Sequence, residues 1–277
     1  GIMYRNLGLI EISIKTLIEI LLDDQFNSNS FYELSTMYDF SSHDQLLKTL
    51  LNCEIGNLSS EEKIYLGYSK ANIYHQRKEY KKSSYFLKIA NAEKLKIQKS
   101  DIKRKLNTGE YYRNLRIGKN LNIERKNDTS RYLFIVGMPR CGSTLLESIL
   151  SLNPEVQDLG EVCFLEESLE KTDDLHEVKN LYAEKVKLIN SEKKIFTDKN
   201  LFNFLYCPVI YNLFPNAKII HCTRNPLDNI LSIYRTNFLN QSFSSSLNDI
   251  ADLYLYQMKL MREYKDKFGS MIYSYDH

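Results

Sequence analysis

The 277 residues are 43% hydrophobic and 26% charged with only five prolines, which fits two soluble globular domains and excludes wholesale disorder. A net charge of +2 supplies no global field for nucleic acid or an anionic membrane, so any anion site has to be local. The five cysteines (Cys53, Cys141, Cys163, Cys207, Cys222) form no CxxC or Cys/His cluster, which argues against a metal site or a disulfide framework and for a reducing, cytoplasmic setting.

From residue 1 to about residue 122 the apolar spacing is helical, with lysine and glutamate on the outer faces. The N-terminal apolar stretch contains acidic residues and no small-residue cleavage site, so it does not read as a signal peptide, and no run of about 18 apolar residues offers a membrane span. Between Ile64 and Ile97, Ala71, Tyr74, Tyr80, Ser83, Leu87 and Ala90 stand where a tetratricopeptide (TPR) repeat places its packing residues. Gly8 to Ser13 followed by Phe31 to Leu34 looks like a weaker, offset copy. The alternative is an irregular helical bundle; in either case the expected role is support or the capture of a protein partner.

Residues 123–130 read as a polar linker. After residue 131 short apolar runs alternate with amphipathic helices, the pattern of a parallel sheet with crossovers. The predicted strands are Tyr132 to Val136, Lys194 to Thr197, Ala217 to Cys222 and Ser270 to Tyr273. The fold class is therefore α + α/β: TPR-like helices over 1–122, then a three-layer P-loop domain over 131–277. Right-handed crossovers would bring the C-terminal strand ends to one edge, where open α/β sheets bind ligands.

Gly137-Met-Pro-Arg-Cys-Gly-Ser-Thr144 lies between the first strand and a helical run beginning at Thr144. Free backbone N–H groups and the positive end of the helix dipole suit such a turn to a phosphate. The G-x-x-x-x-G spacing matches a Walker A loop, but Ser143-Thr144 stand where a nucleotide triphosphatase has lysine and a hydroxyl residue. Hydroxyls plus Arg140 suit a single phosphate, which demotes an ATPase or kinase to the alternative reading. A second anion site is expected where a strand ends at Arg224, Asn225-Pro226 opens a helix, and Ser232 follows eight residues after the arginine. Taken alone, Arg224 could equally pair with Asp228 at i+4.

The string Gly-Met-Pro-Arg-Cys-Gly-Ser-Thr-Leu-Leu-Glu resembles the 5′-phosphosulfate loop of sulfotransferases, with Cys141 in place of the usual serine. Arg224 and Ser232 resemble the same family's 3′-phosphate site. The resemblance implies 3′-phosphoadenosine 5′-phosphosulfate (PAPS) as co-substrate, held by Pro139, Arg140, Cys141, Gly142, Ser143, Thr144, Arg224 and Ser232, with no metal required. Asp198-Lys-Asn200 and Leu213-Phe-Pro-Asn-Ala-Lys218 resemble tyrosylprotein sulfotransferases and TPR-linked bacterial relatives. That likeness implies Lys199 as the group that stabilises the transition state and Glu161 as the base that takes the acceptor proton. A cap or first-turn carboxylate is the alternative for Glu161.

His221, inside a strand, is expected to be structural, and Glu147 and Glu166 to lie on helix surfaces. The resemblance covers residues 131 to 277 and leads to the expectation that the domain is incomplete at its C-terminal end, where the family continues with a segment covering the cofactor. The expected activity is sulfuryl transfer to a hydroxyl of a protein tyrosine, a glycan or a small metabolite. A TPR scaffold carrying an inactive module is the further alternative.

Overall fold

The computed structural model describes residues 1–24, 27–40, 44–115, 131–190 and 192–277. The expected linker at 123–130 lies outside them. The chain divides into two units, Gly1–Asp101 with Leu231–Ile250, and Ile102–Ile230 with Ala251–His277.

The first unit is helical: α1 (Ile2–Asn6), α2 (Ile10–Asp23), α3 (Ser28–Met37), α4 (Asp44–Asn52), α5 (Ser60–Gln76) and α6 (Tyr80–Ile97). Sequence sets these boundaries visibly at α5, where Ser59 and Glu62 form a reciprocal capping box that satisfies two of the helix's orphan donors. Leu17, Leu21, Phe31, Leu34, Leu50, Leu66 and Ile73 close a core between these helices. Each fully buried side chain of this size contributes roughly 1.5–3 kcal/mol.

The second stretch of this unit is tied to α6 by polar groups. The Asn91 amide donates to the Tyr234 carbonyl at 3.1 Å, and Lys94 donates to Asn237 Oδ1 and to the Phe238 carbonyl. Asp101 accepts from the Ser242 hydroxyl and the Phe243 N–H, each at 3.0 Å.

The second unit begins with α7 (Ile102–Asn114). This grouping differs from the boundary drawn at residue 122 from the sequence, because α7 is tied to residues far along the chain: Lys105 lies over the Phe202 ring at 3.8 Å and Arg113 pairs with Glu263 at 2.8 Å. There follow β1 (Arg131–Gly137), α8 (Ser143–Leu150), β2 (Val156–Asp158), α9 (Phe164–Lys171), α10 (Leu175–Ile189), β3 (Ile195–Asp198), a 3-10 turn (Leu201–Tyr206), α11 (Cys207–Leu213) and β4 (Lys218–Thr223). The chain then forms α12 (Pro226–Tyr234), α13 (Leu247–Phe268) and β5 (Ile272–Asp276), the two helices straddling the division between units.

The sheet is wholly parallel, in the order β2-β3-β1-β4-β5. The step from β1 to the edge strand β2 runs opposite to the later steps, so right-handed crossovers send α8 to one face and α10 and α11 to the other. Three strands fall within a residue of where the sequence predicts them; the last, expected over Ser270 to Tyr273, begins at Ile272 because Gly269–Met271 form a 3-10 turn, and β2 is the addition, a three-residue half-exposed edge strand too short to show alternation. Tyr132, Phe134, Tyr182 and Phe214 fill one side of the sheet with ring centroids 5.0–6.3 Å apart.

Candidate active site

Register decides what the strands deliver. Phe134 is level with Asp198 and Gly137 with Cys222, so the loops after β1, β3 and β4 leave the same edge. After β1 the backbone turns through three positive φ angles, 155° at Gly137, 67° at Arg140 and 90° at Gly142. A Cβ at Gly137 would stand 2.6 Å from the Cys222 carbonyl, so only glycine lets the loop leave β1 this close to β4. Gly142 serves as the N-cap of α8 in the left-handed region.

Arg140 has no such freedom, and its left-handed backbone costs about 1–2 kcal/mol. The turn is held from behind. Asn229 of α12 donates its amide to the Pro139 carbonyl at 2.8 Å, and the Arg224 guanidinium donates to the Arg140 carbonyl at 3.2 Å. Those two bonds hold the loop's carbonyls on the protein side, and the Ser143 N–H and hydroxyl turn to the Cys141 sulfur, so the N–H groups that follow Ser143 in the first turn of α8 are the ones the helix start offers to an anion. Arg140 and Thr144 are exposed there, while Ser143 is buried.

Cys141 and Cys222 are both buried with their thiols in contact. The Cys222 thiol donates to the Cys141 sulfur, which lowers the Cys141 thiol against the opposing effect of burial and raises that of Cys222. Cysteine in place of serine therefore turns inward, into the apolar cluster of Ile135, Leu146 and Leu201.

After β3, Lys199 is 5% exposed and donates from Nζ to Glu161 Oε1 at 2.9 Å. Their loops are also joined by backbone, the Lys199 N–H to the Gly160 carbonyl and the Leu159 N–H to the Thr197 carbonyl, each at 2.9 Å. The structure thus brings together two residues that lie 38 apart in sequence. Glu161 itself faces solvent, within neither a helix nor a strand, rather than capping α9.

Asp198 is buried among the Tyr182 hydroxyl, the Asn200 N–H and the Asn203 amide. Burial pushes its carboxyl up to about 7 despite those donors.

His221 is buried on β4 and bonded to the Gln257 amide. Burial pushes its imidazole down to about 4, so it stays neutral at physiological pH, in a structural environment. Arg224 shows no ion pair with Asp228 among the described residues; the Tyr254 hydroxyl fixes its carbonyl at 3.1 Å. Ser232 lies on α12 on the far side of the unit boundary, half-buried, its carbonyl accepting from Thr236.

One expectation is overturned. Glu147 is no helix-surface carboxylate: it is 6% exposed, while its neighbours Leu145 and Ile149 are 51% and 52% exposed. Its carboxylate accepts from Thr197 Oγ1 at 2.8 Å and stands 3.8 Å from Lys199 Nζ. The apolar spacing of α8 points to the wrong face because a carboxylate with ready-made donors can be buried where an unpaired one cannot. Asn229 and Tyr254, which hold the loop and the end of β4, also carried no local signal, since their partners are 90 and 30 residues away.

A parallel five-stranded sheet with a glycine-flanked strand–loop–helix turn, and a lysine and a carboxylate at its edge, defines the class. The sulfotransferase family profile matches residues 133–272, about half of the chain and nearly the whole run from β1 to β5, and the chain belongs to that family. A relative in Aquifex aeolicus (strain VF5), described as an uncharacterized protein, is 26% identical over 291 aligned positions. The alignment takes in 91% of this chain but 37% of the relative, so the chain spans little more than a third of that protein's length.

Proposed function

We propose that this chain carries a PAPS-dependent sulfotransferase that moves a sulfuryl group to a hydroxyl acceptor. The observation that carries the reading is the pairing of Lys199 with Glu161 on the strand next to the phosphate loop, at one edge of the sheet. The donor set suits an anionic nucleotide: backbone N–H groups, the Ser143 and Thr144 hydroxyls and Arg140 lie together at the start of α8. In this reading Pro139 to Thr144 cradle the 5′-phosphosulfate, and Arg224 with Ser232 hold the 3′-phosphate.

Glu161 takes the proton as the acceptor oxygen bonds to sulfur. Lys199 compensates the charge left on the phosphate oxygen as the sulfur–oxygen bond opens. The ion pair between them keeps base and cation within one hydrogen bond of each other before substrate arrives. No metal enters the scheme. The helical unit, with α5 and α6 as its TPR-like pair, serves as support or as a partner-binding surface, and the setting is cytoplasmic.

A calorimetric titration with 3′-phosphoadenosine 5′-phosphate tests the donor. Binding at least about tenfold tighter than that of ATP with magnesium is expected, a margin of some 1.4 kcal/mol. The reverse order would favour a kinase and remove the sulfotransferase reading. Lys199→Ala and Glu161→Ala should each abolish transfer while leaving the affinity for 3′-phosphoadenosine 5′-phosphate within about threefold, since neither belongs to the phosphate loop.

A further inference from the structure

The sheet edge holds a third charged group that neither the family resemblance nor the scheme above employs. Glu147 projects from the second turn of α8, the helix that the phosphate loop opens, and is buried. Three separate groups converge on its carboxylate: the Thr197 hydroxyl at 2.8 Å, the backbone N–H of Gly160, and the Lys199 ammonium at 3.8 Å. Thr197 and Lys199 flank Asp198 at the end of β3, and Gly160 directly precedes Glu161. One carboxylate therefore ties the phosphate-loop helix to the two segments that carry Lys199 and Glu161.

The charge arithmetic gives this a chemical consequence. Lys199 is 5% exposed and has two carboxylates nearby, Glu161 in direct contact and Glu147 behind it. When Glu161 takes the acceptor's proton it becomes neutral and its hold on the ammonium weakens. At that moment negative charge develops on the leaving phosphate oxygen, and a lysine free to relax toward water would stabilise it poorly. Burial raises the Glu147 carboxyl, and the Thr197 hydroxyl, the Lys199 ammonium and the Gly160 N–H oppose that rise by favouring its charged form; in that form it is the partner that still holds the ammonium once Glu161 is neutral. A buried cation left with no carboxylate is costly, which is why a second partner matters here.

We propose that Glu147 is a positioning residue that holds the Lys199 ammonium and the Gly160–Glu161 segment in register with the phosphate loop. The proposal rests on the sulfotransferase reading for its chemical meaning, though the geometry can be tested without turnover. The device belongs to the site and not to general stability, because it joins α8 to both segments bearing reactive groups. Thr197 fixes the carboxylate's orientation, leaving the second oxygen for Lys199.

The test is labelling of the protein's amines with acetic anhydride, read residue by residue by mass spectrometry, on the wild type, Glu147→Gln and Glu147→Asp. Lys94 and Lys105, also buried, serve as internal controls. In Glu147→Gln, labelling of Lys199 should rise about tenfold, the loss of roughly 1.4 kcal/mol of protection, while Lys94 and Lys105 stay at their wild-type rates. Glu147→Asp, which restores the charge, should fall between the two.

Binding of 3′-phosphoadenosine 5′-phosphate should remain within about twofold in Glu147→Gln, and PAPS turnover should fall about tenfold or more, a loss in kcat and not in affinity. Thr197→Val, isosteric but unable to donate, provides a second route should Glu147→Gln fold poorly, and should produce a smaller rise at Lys199. An unchanged Lys199 rate, or an equal rise at all three lysines, overturns the proposal. Failure of the wild type to bind 3′-phosphoadenosine 5′-phosphate overturns the donor reading instead, whatever the labelling shows.

Discussion

Asp198 stands between the two residues that meet Glu147, fully enclosed, with a carboxyl raised from 3.8 to about 7 chiefly by burial. The sign of its effect on stability follows from proton counting. Below about pH 4 both the folded and the unfolded states hold the proton. Between about 4 and 7 the unfolded chain has lost it while the folded chain keeps it, so this residue's contribution declines as pH rises through that window. His221 acts in the opposite sense: its imidazole falls from 6.5 to about 4, and its contribution is lost as pH drops across that range. Comparing wild type with Asp198→Asn at each pH cancels the histidine. Urea unfolding of the two proteins should show the variant gaining relative stability by a few kcal/mol between pH 4 and 7; parallel curves would mean that Asp198 titrates normally.

At the same scale, sequence reading and structure part company at Glu147 and agree at His221. The strand context of His221 was visible locally, whereas the burial of Glu147 depends on Thr197, fifty residues later. Lys199 and Glu161 were named through resemblance, and no feature of the sequence announced that they would touch. Their contact arises because β2 and β3 are neighbours and the segment after β2 bonds along β3.

The element that matters most is the turn from β1 into α8. Gly142 holds φ 90°, and a Cβ there would come within 2.6 Å of the His277 ring. A side-chain ring can shift, but the left-handed backbone cannot be adopted cheaply by alanine. Gly142→Ala should therefore lower stability by about 1–2 kcal/mol and weaken binding of 3′-phosphoadenosine 5′-phosphate at least about tenfold by turning the first N–H groups of α8 away.

Asn229→Ala acts on the same turn from behind, leaving the Pro139 carbonyl without its donor. A cost of about 1–3 kcal/mol is expected in thermal or urea unfolding. The glycines of this loop were legible because a strand-to-helix turn of this tightness demands them. The asparagine that pins it was not, since a lone Asn on a helix has no periodic signature.

Across the whole molecule the chain does not divide at a single point. Leu231–Ile250 groups with the N-terminal helices, and Ile102 onward with the sheet. A chain starting at Ile102 would strip that second segment of the Asn91, Lys94 and Asp101 side chains that satisfy its backbone and hydroxyl groups. Several buried groups would lose their partners together, each worth about 1–3 kcal/mol. Hydrogen exchange should then show protection lost over residues 234–245, with the centre of the sheet less affected. Full protection of that segment in the shortened chain would show that it folds without the helical unit.

The amino-acid sequence by itself determined the elements: an all-helical beginning, the strand–loop–helix turn at Gly137 to Thr144, and a parallel sheet inferred from apolar runs alternating with helices. Those are consequences of local periodicity and backbone permission, which neighbouring residues suffice to express. Only the tertiary structure decided which strand lies beside which, that Lys199 meets Glu161 and Glu147, and that residues 231–250 belong with the first hundred. Each of these depends on partners tens of residues apart, and burial of a polar group is settled by whether a distant donor arrives to satisfy it.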